Sequence, residues 1–366
     1  MQSQTVTLLS AGNSLGVYIP AKLLQLQLRK EGIQADIYML EHLYDDETRE
    51  NIPRYRKAFH DSFKVAKTGY KLARDSRSNL DEGKTAALLE QWRQEGRRKF
   101  LALTGFWIPV LERYQNMLGG TGVDIRLIRL DASDTPSFSV YGDACSQFAN
   151  IWLYPHGEER IAQTITVSAK EPVSFEKRER RYLIHGGGWG IGTYKDKIAE
   201  LESAGAALHI VTYYREGTQL APHDRGQHRY YLLDPDWSPW HRNADGEFDF
   251  PPFAEIDASQ PYEFGDSPDY PRVFELIRQS TGIISKPGGA TLLDSLAAAT
   301  PLIFLEPFGE HERSNARLWE SLGLGICYEA WQAQHYSTDV LVQLHQNLLR
   351  ARDEAGNLLH EIKKGR

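Results

Sequence analysis

Between Gly282 and Leu305 the sequence reads as one supersecondary unit, and this unit limits the folds open to the chain more than any other stretch. Gly282-Ile283-Ile284 is an apolar run of the length of a buried strand. Ser285-Lys286-Pro287-Gly288-Gly289-Ala290-Thr291 follows. A helical pattern then runs over Leu292-Leu293-Asp294-Ser295-Leu296-Ala297-Ala298, and Leu302-Ile303-Phe304-Leu305 is a second buried run. Strand, Gly turn, helix and strand is the repeating piece of a parallel sheet covered by helices. The helix would start with small residues and unpaired backbone N–H groups. Those donors and the positive end of the helix dipole favour an anion such as phosphate. Gly288 and Gly289 keep side chains out of the way of a diphosphate, and Lys286, Ala290 and Thr291 flank the same turn.

The next residues leave the second strand at its C-terminal end, where ligands of open α/β sheets sit. They read Glu306-Pro307-Phe308-Gly309-Glu310-His311-Glu312-Arg313-Ser314-Asn315-Ala316, a loop that feeds a helix ending at Gly323. Over roughly residues 281–328 the chain resembles the nucleotide-sugar-dependent glycosyltransferases of GT-B type. The branch it is most similar to holds the bacterial peptidoglycan N-acetylglucosaminyltransferase and the plant galactolipid synthases. Those enzymes have a small-Gly-Gly turn, an acidic residue facing the ribose, and a Gln-Glu-x-x-Asn or Asp-Gln-x-x-Asn loop. His311-Glu312-Arg313-Ser314-Asn315 fills that last pattern here, with His311 where Gln or Asp is usual. The resemblance implies that Asp294 holds the ribose, and that His311, Glu312 and Asn315 face the sugar.

The rest of the chain divides into two α/β halves. Thr5–Leu9 and Ala35–Leu40 read as strands around a turn and an amphipathic helix from Pro20 to about Lys30. Strands resume at Phe100–Leu103, Asp124–Leu130 and Ile151–Tyr154. Residues 45–98 are polar, helical and rich in Arg and Lys, an insertion that could border a substrate. The predicted organisation is an acceptor-side α/β domain over 1–168, a charged linker over 169–180 and a nucleotide-sugar-binding domain over 181–338. A polar helix over 339–366 comes last, and the resemblance implies that it crosses back to the first domain. The fold class expected is α/β, with two Rossmann-like doubly wound domains facing a cleft.

Two further Gly-rich turns are candidates for the same cleft. His185-Gly186-Gly187-Gly188-Trp189-Gly190-Ile191-Gly192 follows a strand and precedes a helix, so Gly187 and Gly188 could present backbone donors to an anion or a sugar. A nicotinamide site would need differently spaced glycines and a carboxylate ending the next strand, and His209–Tyr214 ends without one. Near the N-terminus, Gly12-Asn13-Ser14-Leu15-Gly16 resembles the acceptor-side turn of the same glycosyltransferases, which implies that Gly12, Asn13, Ser14 and Gly16 border the acceptor. Many relatives carry a His three residues before the Pro of this stretch as general base. Here that position is Val17, which cannot take a proton. Glu41, His42, Asp131, Asp134 and His156 stand at strand ends of the first half; Asp131 and His156 are the leading catalytic candidates, because each closely follows a buried run.

Composition narrows the partners. At 366 residues and 41% hydrophobic, the chain can build two ordinary domains. A net charge of −7 leaves no footprint for nucleic acid or an anionic membrane. Two cysteines, Cys145 and Cys327, give no disulfide framework, so a cytoplasmic setting is the simplest. Met1-Gln2-Ser3-Gln4 opens neither a signal peptide nor a transmembrane helix. Asp234-Pro235-Asp236 matches the Asp-x-Asp metal motif of a different glycosyltransferase fold and reads as a turn. No metal and no cofactor are expected beyond the substrate itself. The expected function is transfer of a sugar from a UDP- or dTDP-linked donor to a small-molecule, lipid or glycan acceptor. A sugar-nucleotide epimerase of related fold, or a catalytically silent partner of a transferase, are the alternatives.

Overall fold

The computed structural model describes residues 5–72, 74–218, 227–257 and 261–364. Met1–Gln4, read above for the absence of a targeting pattern, lies outside them. The first half is built on β1 (Val6–Ser10), β2 (Ala35–Met39), β3 (Lys99–Ala102), β4 (Asp124–Arg129) and β5 (Ala149–Trp152). They form one sheet in the order β2-β1-β3-β4-β5, every neighbouring pair parallel. A short strand, β6 (Gln163–Thr164), stands apart.

The second sheet contains β7 (Glu179–Ile184), β8 (Ala207–Thr212), β9 (Arg229–Leu233), β10 (Phe253–Ile256), β11 (Ser280–Ser285), β12 (Leu302–Phe304) and β13 (Gly325–Cys327). Its order is β10-β9-β8-β7-β11-β12-β13. Only β10 runs antiparallel to its neighbour. The strand order reverses beside β1 in one sheet and beside β7 in the other. Crevices open at such switch points, at the C-terminal strand ends.

The strands are near-continuously apolar because both faces of each sheet are covered. One apolar cluster fills the outer face of the first sheet around Leu9, Trp92, Trp107 and Leu127, and another the outer face of the second around Ile184, Ile210 and Trp331. The largest lies between the halves. It joins Leu8, Leu24 and Ile128 of the first to Leu183, Leu292 and Leu302 of the second.

Several elements differ from the sequence reading. The helix after β1 spans Leu15–Lys30, five residues longer at its start than the pattern from Pro20 predicts. Leu15, Tyr18, Ala21, Leu24 and Leu28 are buried along it at helical spacing. That stripe outweighs the hydrogen bond that Pro20 cannot donate. Gly16 is therefore in the helix and not in the turn. The polar tail is two helices, Thr338–Glu354 and Leu358–Lys364, separated by the short strand β14 (Gly356–Asn357). β14 pairs in parallel with β6. Lys363 reaches Glu31 at 2.7 Å, and Arg126 donates to the carbonyls of Glu361 and Ile362, so the chain's end packs on the first half.

The charged stretch 169–180 holds a buried anchor. Arg178 donates to the carbonyls of Val173, Ser280, Ala298 and Ala299 and to the Thr300 hydroxyl. Burial lowers its pKa to about 10. Truncation would leave several buried carbonyls unpaired, and hydrogen bonds to a charged group contribute about 1.5–3 kcal/mol each. Arg178→Ala is therefore expected to lower the melting temperature by several degrees. Arg178→Lys should recover little, because one ammonium cannot span the same acceptors; differential scanning calorimetry of the two variants checks this.

Candidate functional site

The C-terminal ends of the two sheets face one another across a cavity of about 430 Å³. Its second-half wall is the turn after β11 and the helix Gly289–Ala298. Gly288 is the N-cap, with no side chain capping the helix, so the first-turn N–H groups of Gly289, Ala290 and Thr291 remain available where those residues line the cavity. Gly289 has to be glycine for a reason of contact. A Cβ there would lie 2.6 Å from the Leu130 carbonyl and 3.0 Å from the Asp131 carboxylate, at the end of β4.

The turn after β7 closes a second side. Gly187 has φ 68°, and a Cβ on it would meet the Lys286 ammonium at 3.2 Å. The Gly187 amide donates to His185 Nδ1 at 2.9 Å, and burial lowers the His185 pKa to about 4, which keeps that ring neutral. Trp189 holds φ 61°, unusual for a bulky residue. Helix Asp46–Asp61 of the first half holds it in place. Arg56 stacks 3.8 Å from the Trp189 ring and 4.7 Å from the Trp240 ring, and the Trp189 carbonyl sits 3.1 Å from His60 Nδ1. Arg56 also donates to the Gly12 carbonyl at 3.0 Å. Glu41 accepts the Gly12 and Asn13 amides at 2.9 and 2.7 Å, with its carboxyl pushed up by full burial. Arg56 and Glu41 thus set the shape of the turn after β1, and Glu41 is committed to that turn.

Helix Glu310–Ser321 forms the third side. The His-Glu-x-x-Asn residues are in its first two turns and not in a loop. Glu312 is 2% exposed and accepts Lys286 Nζ at 2.5 Å through one oxygen and the Phe308 amide at 2.6 Å through the other. The second bond reaches back over the helix start, as a capping carboxylate does. His311 lines the cavity and stacks on Tyr70 of the first half, ring centres 5.4 Å apart.

The sequence-predicted residues divide on this geometry. Asn13, Ser14, Gly16, Asp131, Gly187, Gly188, Lys286, Gly288, Gly289, Ala290, Thr291, Asp294, His311 and Glu312 all line the one cavity. Asn315 does not. It is fully buried, donates to Asp131 Oδ1 at 2.7 Å and to the Pro287 carbonyl at 2.9 Å, and accepts the Ala132 amide at 2.7 Å. It ties the halves together and has no group left for a ligand. Gly12 faces away from the cavity onto Pro239, which a Cβ would meet at 2.5 Å. His156 is exposed, lies off the cavity wall, and has Nδ1 3.1 Å from the Ala132 carbonyl. Asp234 and Asp236 form a turn in which the Asp236 amide donates to Asp234 Oδ1, and Asp236 pairs with Arg215. Among the described residues no group of three His, Cys, Asp or Glu side chains could hold a metal ion, and no helix is long and apolar enough to cross a membrane.

Comparison with known proteins agrees with this architecture. No family model matches the chain, and no curated protein is similar to it in sequence. Solved structures do match over nearly the full length. MurG of Acinetobacter baumannii is 13% identical, with 99% of each chain covered and a TM-score of 0.55. The glycosyltransferase VinC, solved in complex with dTDP, is 11% identical over 99% of this chain and 98% of that one, with a TM-score of 0.56. SsfS6 of Streptomyces sp. SF2575, complexed with thymidine diphosphate, is 12% identical over 99% of each chain, with a TM-score of 0.55. The chain has the GT-B fold.

Within the GT-B cleft two of the carboxylates that sequence singled out, Asp131 and Asp294, are unlike each other. Asp131 ends β4 and is pushed up by burial, an effect that His311, Asn315 and Lys286 oppose. Asp294 projects from the helix that starts at Gly289, and burial alone raises it to about 7. Its unfolded-state value is near 4. Between pH 4 and 7 the folded protein therefore binds the extra proton, and stability falls as pH rises through that window. An Asn at this position cannot ionise. Asp294→Asn is expected to melt close to the parent at pH 4 to 5 and a few degrees above it at pH 8, measured by thermal denaturation without ligand.

Proposed function

We propose that the protein transfers a sugar from a nucleoside diphosphate sugar to a hydroxyl-bearing acceptor, and that the two halves divide the work as donor side and acceptor side. One observation carries the reading. An uncapped helix start at Gly288-Gly289, with Lys286 beside it and Asp131 packed against Gly289, lines a cavity at the switch points of both sheets. A diphosphate there would meet the first-turn amides and the positive end of the dipole. Asp294 follows along the same helix and suits the ribose. Beyond it the cavity is walled by Val211, Leu233, Phe253 and Ile277, an apolar slot for a flat base. UDP and dTDP fit this layout equally; the relatives solved with thymidine diphosphate favour testing dTDP first.

The chemistry follows from the two walls. The acceptor oxygen bonds to the anomeric carbon of the sugar. The bond from that carbon to the diphosphate oxygen breaks, and its electron pair leaves with the diphosphate. Fixed amides at Gly289 and Ala290 and the Lys286 ammonium stabilise that growing charge. Asp131 takes the acceptor's proton, the role that Val17 cannot fill. Glu312 orients Lys286 and sits where it can also accept a sugar hydroxyl. Helix dipole, amides and Lys286 do the work of a cation, so no metal or further cofactor is needed.

Isothermal titration should show dTDP or UDP binding that Asp294→Ala weakens about 10-fold, the effect of losing one hydrogen bond to a charged group. Failure of every nucleoside diphosphate to bind would remove the reading. Asp131→Asn should leave that binding intact and lower kcat at least about 100-fold, the contribution of a general base. Turnover should persist in EDTA. Glu312→Gln keeps the bond to the Phe308 amide and weakens the pairing with Lys286, so it should cost turnover of the intact sugar nucleotide more than affinity for the free diphosphate. A lowered melting point with full activity would restrict Glu312 to the helix start.

A further inference from the structure

The first-half end of the cavity has a lining that the donor reading leaves unused. Tyr44, Phe59, Tyr70, Phe106, Phe138 and Phe308 all border it, and five of these six rings are only half-buried although they sit beneath the helical layer. Three of them are held in place by polar or aromatic partners: Tyr70 meets Phe308 edge-on at 5.2 Å and places its hydroxyl 3.1 Å from His311, and Phe138 carries the Arg129 guanidinium 3.7 Å from its ring centre. Rings fixed in this way present flat, weakly hydrated walls, which select flat apolar ligands over flexible chains.

Polar groups at this end are few and specific. Arg56 is the basic side chain of this wall, and it is committed to the Trp189 and Trp240 rings and to the Gly12 carbonyl. Across the cavity Lys286 is paired with Glu312. Once the donor diphosphate holds Lys286, an acceptor bearing a phosphate would find neither Arg56 nor Lys286 free. Thr104 follows β3 and is 3% exposed, and its hydroxyl has no hydrogen-bond partner among the described residues although the residue lines the cavity. A hydroxyl without a protein partner on a cavity wall is a place for a ligand's polar substituent. Asp131 completes the wall: Oδ1 is held by Asn315, and Oδ2 has no partner among the described residues.

We propose that the acceptor is a flat, uncharged aromatic molecule that offers a phenolic hydroxyl to Asp131. The proposal rests on the sugar-transfer reading and names its acceptor class. It also accounts for Val17. A phenol ionises near pH 10, far more readily than an aliphatic alcohol, so a carboxylate can take its proton where no imidazole is present. In the transfer the phenolic oxygen bonds to the anomeric carbon, the diphosphate departs with the electron pair of the broken bond, and the phenolic proton passes to Asp131.

The test is a binding titration without donor, with 4-methylumbelliferone as the flat phenol, dodecanol as the flexible alcohol and farnesyl phosphate as the charged chain. The phenol should bind at least about 10-fold more tightly than either chain. Phe106→Ala should weaken it about 3- to 10-fold, the effect of losing one stacked ring. Thr104→Val, which keeps the shape of the side chain, should weaken it several-fold with an unchanged melting point, and it serves where Phe106→Ala fails to fold. Equal or tighter binding of dodecanol or farnesyl phosphate overturns the proposal, as does phenol binding that neither substitution alters. Titrating dTDP and UDP into the same preparations separates the two readings. Nucleotide binding without phenol binding defeats the acceptor class alone, and absence of nucleotide binding defeats the donor reading.

Discussion

The structure depends on one buried amide. Asn315 stands in the second turn of a second-half helix and makes three hydrogen bonds at once: with the Asp131 carboxylate and the Ala132 amide of the first half, and with the Pro287 carbonyl of its own half. These three groups belong to the ends of β4 and β11, the strands whose termini make the two walls of the cavity. The amide therefore sets how far apart the walls stand. It also fixes the carboxylate that faces the uncapped helix at Gly289. A carboxylate buried so completely would be costly without such a donor, and the side chain that supplies it satisfies the neighbouring turn as well.

Around this point the contacts between halves fall into two kinds. The central apolar cluster, joining Leu24 and Ile128 to Leu292 and Leu302, is broad and tolerant of small shifts. The polar contacts at the cavity rim are directional: Tyr70 on His311, Arg56 between Trp189 and Trp240, His60 on the Trp189 carbonyl, Lys67 on Glu306 at 2.5 Å. All four rim contacts come from the helices at 46–71. That segment is the roof of the cavity and not a solvated appendage, and its inward-facing side chains are the ones the chain uses to position the Gly-rich turns of the other half.

Much of this was legible before the structure. The strand–Gly turn–helix–strand unit at 282–305 is local, and the apolar runs of a parallel sheet are long and uninterrupted, so both the fold class and the turn at Gly288-Gly289 follow from short-range pattern. Three things were not. The antiparallel edge strand at 253–256 lies among prolines and charged residues, and its pairing with β9 is decided by partners outside the window. Asn315 sits in the sequence pattern of a ligand-binding residue, but its bonds to Asp131 and Ala132 span more than 180 positions, which no local pattern encodes. Arg56 and Thr104 carried no signal at all. One was among thirteen basic residues of a polar segment, and the other a single Thr after an apolar run. His156 and Gly12 lie off the cavity wall for a related reason: adjacency to a strand end does not say which way a side chain, or the face of a turn, is directed.

The return of the chain's last helix to the first half bears on how the protein is made. Leu358, Leu359 and Ile362 are buried in the central cluster, and Arg126 and Glu31 bind the final turns. The first half is synthesised first, yet its packing closes only with residues at the opposite end of the sequence. Until residues 358–364 are in place, the helix Leu15–Lys30 has an uncovered apolar flank, and the early sheet stays in an incomplete state. Loss of residues 358–364 would then damage the first-made part of the fold and not the part beside them in sequence.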